Sequence, residues 1–295
     1  MVFDVIVIGK GPAGMSCAIY TTRANLKTLV IGKSDSMLLK ADKIENYYGF
    51  VDPIDGKELL GKGVEQALRL GTEIIEDEVV SIEQTDKFKV TGVNGEYEAT
   101  AVLIATGAPV VRVPVKNLEK YEGNGISYCT TCDGFFYRNK KVGVLGYTDY
   151  AIHEAIDLAA FTQDITLYTN NMPLSISENL KESLDKFKIN TLKIKELQGQ
   201  DRIEEIVFED GSKESVQGLF IAYGSASSSS FALKMGIATE GKSIIVNDKM
   251  ETNIPGLFAA GDCTGVFKQV SVAVGQGALA SRQMIDYVRK TRKDG

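Results

Sequence analysis

Residues 3–14 read Phe-Asp-Val-Ile-Val-Ile-Gly-Lys-Gly-Pro-Ala-Gly, an apolar run followed by glycines spaced as G-x-G-x-x-G. The run predicts a β-strand over 3–8, and the following residues predict a helix to about Ala24 and a second strand over 28–31. In such a βαβ unit the glycines permit a tight turn, close approach of a pyrophosphate and close helix packing. The stretch therefore predicts a Rossmann-like fold that binds a dinucleotide.

The second strand of this unit ends without the residue that usually binds a ribose. An acidic side chain is expected there, about 20 residues after the glycine motif, but the sequence has Gly32. Lys33 or Ser34 is expected to contact the adenosine portion of the ligand instead.

The same pattern begins again in the middle of the chain. It comprises a strand over 141–145, Gly146, a helix over about 149–161 and a strand over 165–168. Each copy has the size of a domain rather than of a short repeat. The sequence therefore predicts two three-layer α/β domains of Rossmann-like type.

A late strand over 256–260 ends at Gly261-Asp262 and is predicted to complete the first domain. The second domain is then an insertion in the first. The predicted boundaries are 1–111 with 228–295 for the split domain and 112–227 for the insertion. The two crossings contain Pro or Ser and are predicted to act as hinges, near 109–114 and near 225–231.

Composition excludes several classes of function. The net charge is −6, and the Lys and Arg residues are scattered, so the basic surface that nucleic acids require is missing. No run approaches the roughly 18 apolar residues that span a membrane, and we find no export signal at the N-terminus. Only one pair among the four cysteines is closely spaced. We therefore expect a cytoplasmic protein in a reducing compartment, with no nucleic-acid or membrane partner.

The close cysteine pair lies in the run Cys-Thr-Thr-Cys-Asp-Gly, residues 129–134. The spacing of Cys129 and Cys132 permits an exchangeable disulfide at a turn or a helix start. A zinc site would need two more Cys or His ligands, which the sequence does not place nearby, so we predict no metal. Thiol exchange also needs a proton donor for the leaving sulfur. Because His153 is the only histidine and lies on the second predicted helix, Asp133 is the predicted donor.

Several motifs together resemble the low-molecular-weight thioredoxin reductases over nearly the whole chain. They are the glycine turn, Glu45-Asn46 with Gly49-Phe50, Ala105-Thr106-Gly107, residues 129–134, and Ala260-Gly261-Asp262 with Gln269. The resemblance implies a homodimer whose split domain binds FAD and whose insertion carries the cysteines. It further implies that Cys132 faces the flavin and that Cys129 attacks the thioredoxin disulfide. The implied FAD-binding residues, with Lys33 added as above, are Gly9, Gly11, Pro12, Ala13, Gly14, Lys33, Asn46, Thr106, Gly107, Gly261, Asp262, Gln269 and Val270.

The second glycine turn departs from this family. The family's G-G-G-D-S-A reads Gly-Tyr-Thr-Asp-Tyr-Ala at 146–151, so a tyrosine and a β-branched threonine obstruct the approach of a pyrophosphate. The cationic cluster that binds the 2′-phosphate of NADPH reads Thr-Asn-Asn at 169–171, and a later arginine reads Ser175. The combination resembles the ferredoxin-dependent flavin thioredoxin reductases. It implies that electrons pass from ferredoxin through FAD and the Cys129–Cys132 disulfide to thioredoxin.

Three other interpretations of the same residues stay open at this point. The chain could reduce disulfides with NADH, which lacks the 2′-phosphate. It could be an FAD dithiol oxidase that acts on a small-molecule dithiol and passes electrons to oxygen. It could also be a redox sensor whose disulfide changes a partner interface.

Overall fold

The computed structural model describes residues 2–34, 36–108, 113–265 and 267–294. The chain forms two compact units, one of Met1–Pro109 with Ser227–Gly295 and one of Val110–Ala226. Each unit contains a sheet whose central strands run parallel, which confirms the α/β fold with two Rossmann-like domains. The predicted boundary at 111/112 lies outside the described residues, and the ligand assigned to each domain stays a prediction.

The first unit begins with a βαβ arrangement. Its elements are β1 Val2–Ile8, α1 Pro12–Arg23, β2 Thr28–Ile31, α2 Gly56–Arg69, β3 Glu73–Ile75, β4 Val79–Gln84, β5 Phe88–Gly92 and β6 Glu96–Ile104. The strands lie in the order β3-β2-β1-β6-β5-β4, and β1 runs parallel to both β2 and β6. The carboxyl ends of these parallel strands lie at one edge of the sheet, where α/β proteins bind their ligands.

The second unit has its own sheets. Its elements are β7 Ile126–Ser127, α3 Thr130–Asp133, β8 Val142–Leu145, α4 Asp149–Leu158, β9 Ile165–Tyr168, α5 Lys181–Leu184, β10 Lys188–Asn190, β11 Ile194–Gln198, β12 Glu205–Phe208, β13 Lys213–Ser215 and β14 Gly218–Ile221. Five strands form a parallel sheet in the order β10-β9-β8-β14-β7, and β11-β12-β13 form an antiparallel one. The helix predicted over 149–161 ends earlier, at Leu158.

The chain then returns to the first unit. Its remaining elements are α6 Ser228–Met235, β15 Thr239–Glu240, β16 Ser243–Ile244, β17 Leu257–Ala259 and α7 Val270–Asp294. Strand β17 pairs in parallel with β6, so the late strand does complete the first sheet. Helix α7 packs closely on α1 at Gly277. A Cβ at this position would lie 2.1 Å from the Ala13 carbonyl oxygen, so only glycine permits this close contact.

Residues 228–231 of the crossing predicted near 225–231 are helical, and hinge motion at this crossing stays a prediction. Ser227 caps α6, with a capping box in which the side chains of Ser227 and Ser230 each accept the backbone N–H of the other. A serine at the N-cap stabilises a helix start rather than a flexible crossing. The other predicted hinge includes residues outside the described part of the chain.

Among the described residues, no helix has the length and apolar character needed to cross a membrane.

Candidate active site

The cysteine pair lies at the start of a short helix in the second unit. Cys129 is the N-cap of α3, and a disulfide of 2.04 Å joins it to Cys132. The Cys132 N–H donates to Cys129 Sγ at 3.1 Å. Cys129 is 3% exposed, whereas Cys132 is an exposed residue. The predicted attack by Cys129 on thioredoxin therefore requires this sulfur to become accessible, and that role stays a prediction.

Asp133 is held beside the disulfide by a residue that the sequence reasoning missed. The Ser127 hydroxyl donates to Asp133 Oδ2 at 2.7 Å, and the Cys129 N–H donates to Ser127 Oγ at 3.1 Å. Ser127 thus connects the carboxylate to the backbone of Cys129. Only its position two residues before the first cysteine could have indicated this.

The glycine motif of the first unit forms the turn between β1 and α1. Gly9 has φ +116°, and a Cβ there would lie 2.3 Å from the Ala105 carbonyl oxygen. Gly11 is the N-cap of α1, where no side chain caps the helix and the first turn has no acidic residue. A Cβ at Gly11 would meet no heavy atom within 4 Å. The free N–H groups and the helix dipole therefore face open space, which fits a pyrophosphate.

The ends of β6 and β17 supply polar groups beside this turn. Thr106 Oγ1 is buried and has no hydrogen-bond partner among the described residues. Gly261 lies against the glycine turn, because a Cβ there would be 3.1 Å from Ala13 Cβ. The half-buried carboxylate of Asp262, at the start of a 3-10 helix, likewise accepts no hydrogen bond within the described part of the chain. The buried Thr106 hydroxyl and the half-buried Asp262 carboxylate fit a ligand that carries hydroxyl groups.

Asn46 and Gln269 are brought together from distant parts of the sequence. Asn46 Nδ2 donates to Gln269 Oε1 at 2.8 Å, and Val270 is the first residue of α7. The structure thus places most of the predicted cofactor residues around one edge of the first sheet. Their contacts with FAD stay predictions.

Lys33 is paired with a carboxylate of its own unit, and its contact with the adenosine portion stays a prediction. Its ammonium lies 2.8 Å from the buried carboxylate of Glu78. The glycine turn contains a second lysine, Lys10, and this residue is also paired. Its Nζ lies 2.5 Å from Glu76 Oε2. The Lys10 ammonium and the Ser34 hydroxyl hold the pKa of the Glu76 carboxyl below its usual range. The sequence reasoning missed this pair because its members are 66 residues apart.

Gly32 is explained by the same arrangement. A Cβ at this position would lie 3.0 Å from the Lys10 backbone nitrogen and 3.2 Å from Gly9 Cα. An acidic side chain at this strand end would therefore crowd Lys10 and Gly9, and Glu76, directly after β3, brings a carboxylate near the same strand end.

The turn after β8 is filled by protein atoms. The Ser175 N–H donates to the Tyr147 carbonyl at 2.8 Å, and residues 148 and 175 form a parallel β-bridge. The Thr148 hydroxyl donates to the Gly224 carbonyl. Residues that follow β9 therefore lie against the turn where a dinucleotide would place its pyrophosphate.

Further contacts fix this closed turn. The rings of Tyr147 and Tyr223 meet edge to face, with centroids 5.1 Å apart. Asp149, in the first turn of α4, accepts the Ser177 N–H at 2.7 Å and the Ser177 hydroxyl at 2.6 Å. Asn170, one of the residues in place of the cationic cluster, is buried and accepts the Ile194 N–H at 2.7 Å. The closed turn is thus part of the packed unit.

The other two cysteines are structural. Cys17 and Cys263 are fully buried and unpaired. Burial raises the pKa of Cys17 strongly and that of Cys263 to about 12, so neither is a reactive thiolate near neutral pH. Within the described residues, no group of three His, Cys, Asp or Glu side chains is arranged to hold a metal ion.

One unit has a glycine turn at a helix N-terminus, and the other has a Cys-x-x-Cys disulfide at a helix start. Together these features are typical of a nucleotide-binding disulfide oxidoreductase. The model of the family described as pyridine nucleotide-disulphide oxidoreductase matches residues 3–277. The chain therefore belongs to the pyridine nucleotide-disulphide oxidoreductase family, and its cofactor is FAD. The glycine turn, Thr106 and Asp262 fit this cofactor.

Relatives place the chain among the thioredoxin reductases. It is 33% identical to the thioredoxin reductase of Bacillus subtilis strain 168 over 306 residues, which cover 99% of this chain and 96% of the relative. The solved atypical thioredoxin reductase TRi of Desulfovibrio vulgaris Hildenborough is 41% identical with a TM-score of 0.94, covering 97% of this chain and 98% of its own. The ferredoxin-flavin thioredoxin reductase of Clostridium acetobutylicum is 31% identical with a TM-score of 0.74, covering 98% and 99%. The predicted resemblance is confirmed, and the chain is a flavoprotein disulfide oxidoreductase of the thioredoxin reductase type.

Proposed function

We propose that this protein reduces thioredoxin with electrons from reduced ferredoxin rather than from NADPH or NADH. The observation that carries the choice of donor is the closed turn after β8. There the Ser175 N–H binds the Tyr147 carbonyl at 2.8 Å, at the position that a pyridine nucleotide would need for its pyrophosphate.

Opening that turn would cost interactions that the ligand does not replace. A pyrophosphate at the start of α4 would have to displace the backbone pair of Tyr147 and Ser175 and the two hydrogen bonds from Ser177 to Asp149. Each hydrogen bond contributes about 0.5–1.5 kcal/mol net, and one to a charged group contributes more. The closed turn therefore opposes the binding of both NADPH and NADH.

NADPH is opposed by a second effect. Residues 169–171 and 175 carry no cation, so the 2′-phosphate would lack charge-assisted partners. Each such hydrogen bond contributes about 1.5–3 kcal/mol, and the loss of two weakens binding by roughly two to four orders of magnitude.

One solved neighbour has a name that fits the proposed donor. The Clostridium acetobutylicum relative bears ferredoxin and flavin in its name, and this chain shares 31% of its residues over nearly its full length. The Bacillus subtilis relative is named only as a thioredoxin reductase. The proposed donor therefore rests on the geometry of the turn after β8.

At the other end of the reaction, the surface beside the disulfide suits a protein substrate. Phe135 and Phe136 follow Asp133 directly and are 61% and 66% exposed. Adjacent exposed aromatic rings on one short segment are typical of a protein-binding surface. We infer that thioredoxin packs against these rings when its disulfide meets the cysteine pair.

The residues of the chain account for the chemistry of the thiol step. Bound FAD would supply two electrons, and with these and two protons the Cys129–Cys132 disulfide becomes a dithiol. A thiolate of this pair attacks the thioredoxin disulfide to form a mixed disulfide, and the second sulfur resolves it. Asp133, oriented by Ser127, gives a proton to the departing thioredoxin sulfur and regains it from the remaining thiol. Two electrons and two protons thus reach thioredoxin, and the Cys129–Cys132 disulfide returns.

The donor is tested by anaerobic mixing of the purified yellow protein with NADPH, NADH or reduced ferredoxin while the flavin absorbance is followed. Dithionite serves as the control that the flavin is reducible. We expect bleaching within seconds by ferredoxin and none by the nicotinamides. Rapid bleaching by either nicotinamide overturns the choice of donor but leaves thioredoxin reduction intact, whereas failure to reduce thioredoxin from the bleached state overturns the substrate.

Two further predictions concern the whole molecule. A homodimer is implied by family likeness, and light scattering of the purified protein measures it directly. A cytoplasmic location is predicted from the cysteine pattern, and cell fractionation tests it.

A further inference from the structure

A carboxylate lies at the end of β2 although that strand has no acidic residue there. Glu76 follows β3 directly, and the Gly32 N–H donates to the Ile75 carbonyl at 3.3 Å, so Glu76 lies beside Gly32. The glycine turn is close to the same point, since a Cβ at Gly32 would lie 3.2 Å from Gly9 Cα. Glu76 is therefore at the edge of the sheet that carries the glycine turn.

Two residues hold this carboxylate in position. The Ser34 N–H donates to Glu76 Oε1 at 2.9 Å, and the Ser34 hydroxyl donates to Oε2 at 2.7 Å. The Lys10 ammonium donates to Glu76 Oε2 at 2.5 Å and to Ser34 Oγ at 3.0 Å. An ion pair with a carboxylate that is 60% exposed contributes little to stability, so folding alone does not explain the arrangement.

The carboxylate of Glu76 can accept a further hydrogen bond. A carboxylate accepts about four, and Ser34 and Lys10 together provide three donors. The Lys10 ammonium and the Ser34 hydroxyl keep the pKa of Glu76 below its usual range, so the group is ionised near neutral pH and can only accept. A ligand that donates hydroxyl groups suits such a site.

We propose that Glu76 binds a ribose hydroxyl in the adenosine portion of FAD, with Lys10 and Ser34 as positioning residues. In dinucleotide-binding domains an acidic residue at the end of the second strand, about 20 residues after the glycine motif, binds this hydroxyl. Here Gly32 occupies that place, and the carboxylate comes from the end of the neighbouring strand instead. The proposal rests on FAD as the cofactor and is independent of the electron donor.

The experiment compares FAD with an analogue that lacks the two hydroxyls of the adenosine ribose. Enzymatic coupling of FMN to 2′,3′-dideoxyadenosine triphosphate gives this analogue, which keeps the flavin, the pyrophosphate and the adenine. Titration of the flavin-stripped full-length protein with each ligand, followed by flavin fluorescence, gives two Kd values. Their ratio isolates the contribution of the hydroxyls. We expect the wild type to favour FAD by roughly tenfold to a hundredfold, as a hydrogen bond to a charged group does.

Four variants locate the group that recognises the hydroxyls. Glu76→Ala should bring the ratio close to one, and Glu76→Gln, which removes only the charge, should also lower it and decides the test if the alanine variant folds poorly. Lys10→Met leaves the carboxylate but removes the ammonium that holds it, so its ratio should lie between those of the wild type and Glu76→Ala. Glu73→Ala is the matched control, because it removes a 51% exposed carboxylate at the other end of β3 and should keep the wild-type ratio.

The ratio separates recognition of the ribose from a structural contact. An unchanged ratio in folded Glu76→Ala or Glu76→Gln overturns the proposal even if both Kd values rise, since loss of a structural contact weakens both ligands equally. A wild-type ratio near one overturns it as well, because the hydroxyls would then contribute nothing. An equal fall in Glu73→Ala would show that the effect does not depend on the position of Glu76. An unchanged ratio in Lys10→Met removes Lys10 from the positioning role.

Discussion

The Gly11→Ala variant tests whether the open space at Gly11 is needed for binding the cofactor rather than for folding. Gly11 has φ −74° and ψ −179°, a conformation that alanine adopts without strain. The added Cβ would meet no protein atom within 4 Å. The variant should therefore fold as well as the wild type, or be stabilised by about 0.4–1 kcal/mol, because the unfolded chain loses freedom.

The methyl group should nevertheless weaken FAD binding severely. It would stand at the N-terminus of α1, where the second glycine of the motif lets a pyrophosphate reach the backbone N–H groups. Displacing the phosphates from two charge-assisted hydrogen bonds costs about 3–6 kcal/mol, since each contributes about 1.5–3 kcal/mol. We therefore expect the Kd for FAD to rise by roughly two to four orders of magnitude.

Gly14→Ala is the matched control in the same turn. A Cβ at Gly14 would lie 2.0 Å from the Gly9 carbonyl oxygen, so the protein itself has no room for it. Overpacking of this kind costs about 1–3 kcal/mol or more. This variant should lose thermal stability, in contrast to Gly11→Ala.

The assay combines two measurements on each variant. Titration of flavin-stripped protein with FAD, followed by flavin fluorescence, gives the Kd, and thermal unfolding of the stripped protein gives the stability. If Gly11→Ala binds FAD within about threefold of the wild type, the glycine turn is not the pyrophosphate site. A large loss of stability in Gly11→Ala would contradict the open space seen at this position.

The remaining predictions concern the second unit. Cys132→Ser should trap thioredoxin as a mixed disulfide through Cys129, whereas Cys129→Ser should not, and non-reducing electrophoresis detects the trapped complex. Trapping by Cys129→Ser would reverse the assigned roles and agree with the greater exposure of Cys132. Asp133→Asn should lower thioredoxin turnover by roughly two to four orders of magnitude while the flavin stays reducible, and steady-state assays with each acceptor measure this. Phe135→Ala combined with Phe136→Ala should raise the KM for thioredoxin with little change in flavin reduction; an unchanged KM would place the docking surface elsewhere.

Local sequence patterns were sufficient to predict strands and turns where a buried apolar run is bounded by turn-forming residues. The strands predicted over 28–31 and 165–168 match β2 and β9 at both ends. Both are completely buried, and short runs rich in β-branched residues and bounded by polar residues are typical of central parallel strands. The glycine turn was predicted for the same reason, since a strand, three spaced glycines and a helix leave few other arrangements.

The serine run shows how composition can mislead. Ser227 to Ser230 were interpreted as part of a flexible crossing because serine is common in linkers. The same residues place hydroxyls at the N-cap and three positions later, which is the pattern of a capping box. The position of Ser227 and Ser230 relative to the following apolar residues predicts the helix, whereas the serine content does not.

Side-chain contacts between distant residues could not be predicted. The pairing of Lys10 with Glu76 and the hydrogen bond from Thr130 to Glu154 depend on how strands and helices meet, and the sequence between them has no pattern that encodes it. The closed turn after β8 was foreseen only as a loss of glycines. That residues after β9 would fill the turn, through Ser175 and Ser177, became visible only in the structure.

The contacts of β14 give a physical reason for a nucleotide-type domain that has closed its nucleotide turn. Strand β14 pairs with β7, which leads into the disulfide helix, so the sheet fixes the chain before Cys129. After the disulfide, Tyr137 packs on the same strand: a Cβ at Gly218 would lie 2.2 Å from its ring, and the Tyr137 and Phe220 ring centroids are 5.1 Å apart. One strand thus holds both ends of the segment that carries Cys129, Cys132 and Asp133. These contacts need the parallel sheet and its core but none of the groups that bind a dinucleotide, so the second turn can close while the disulfide keeps its position.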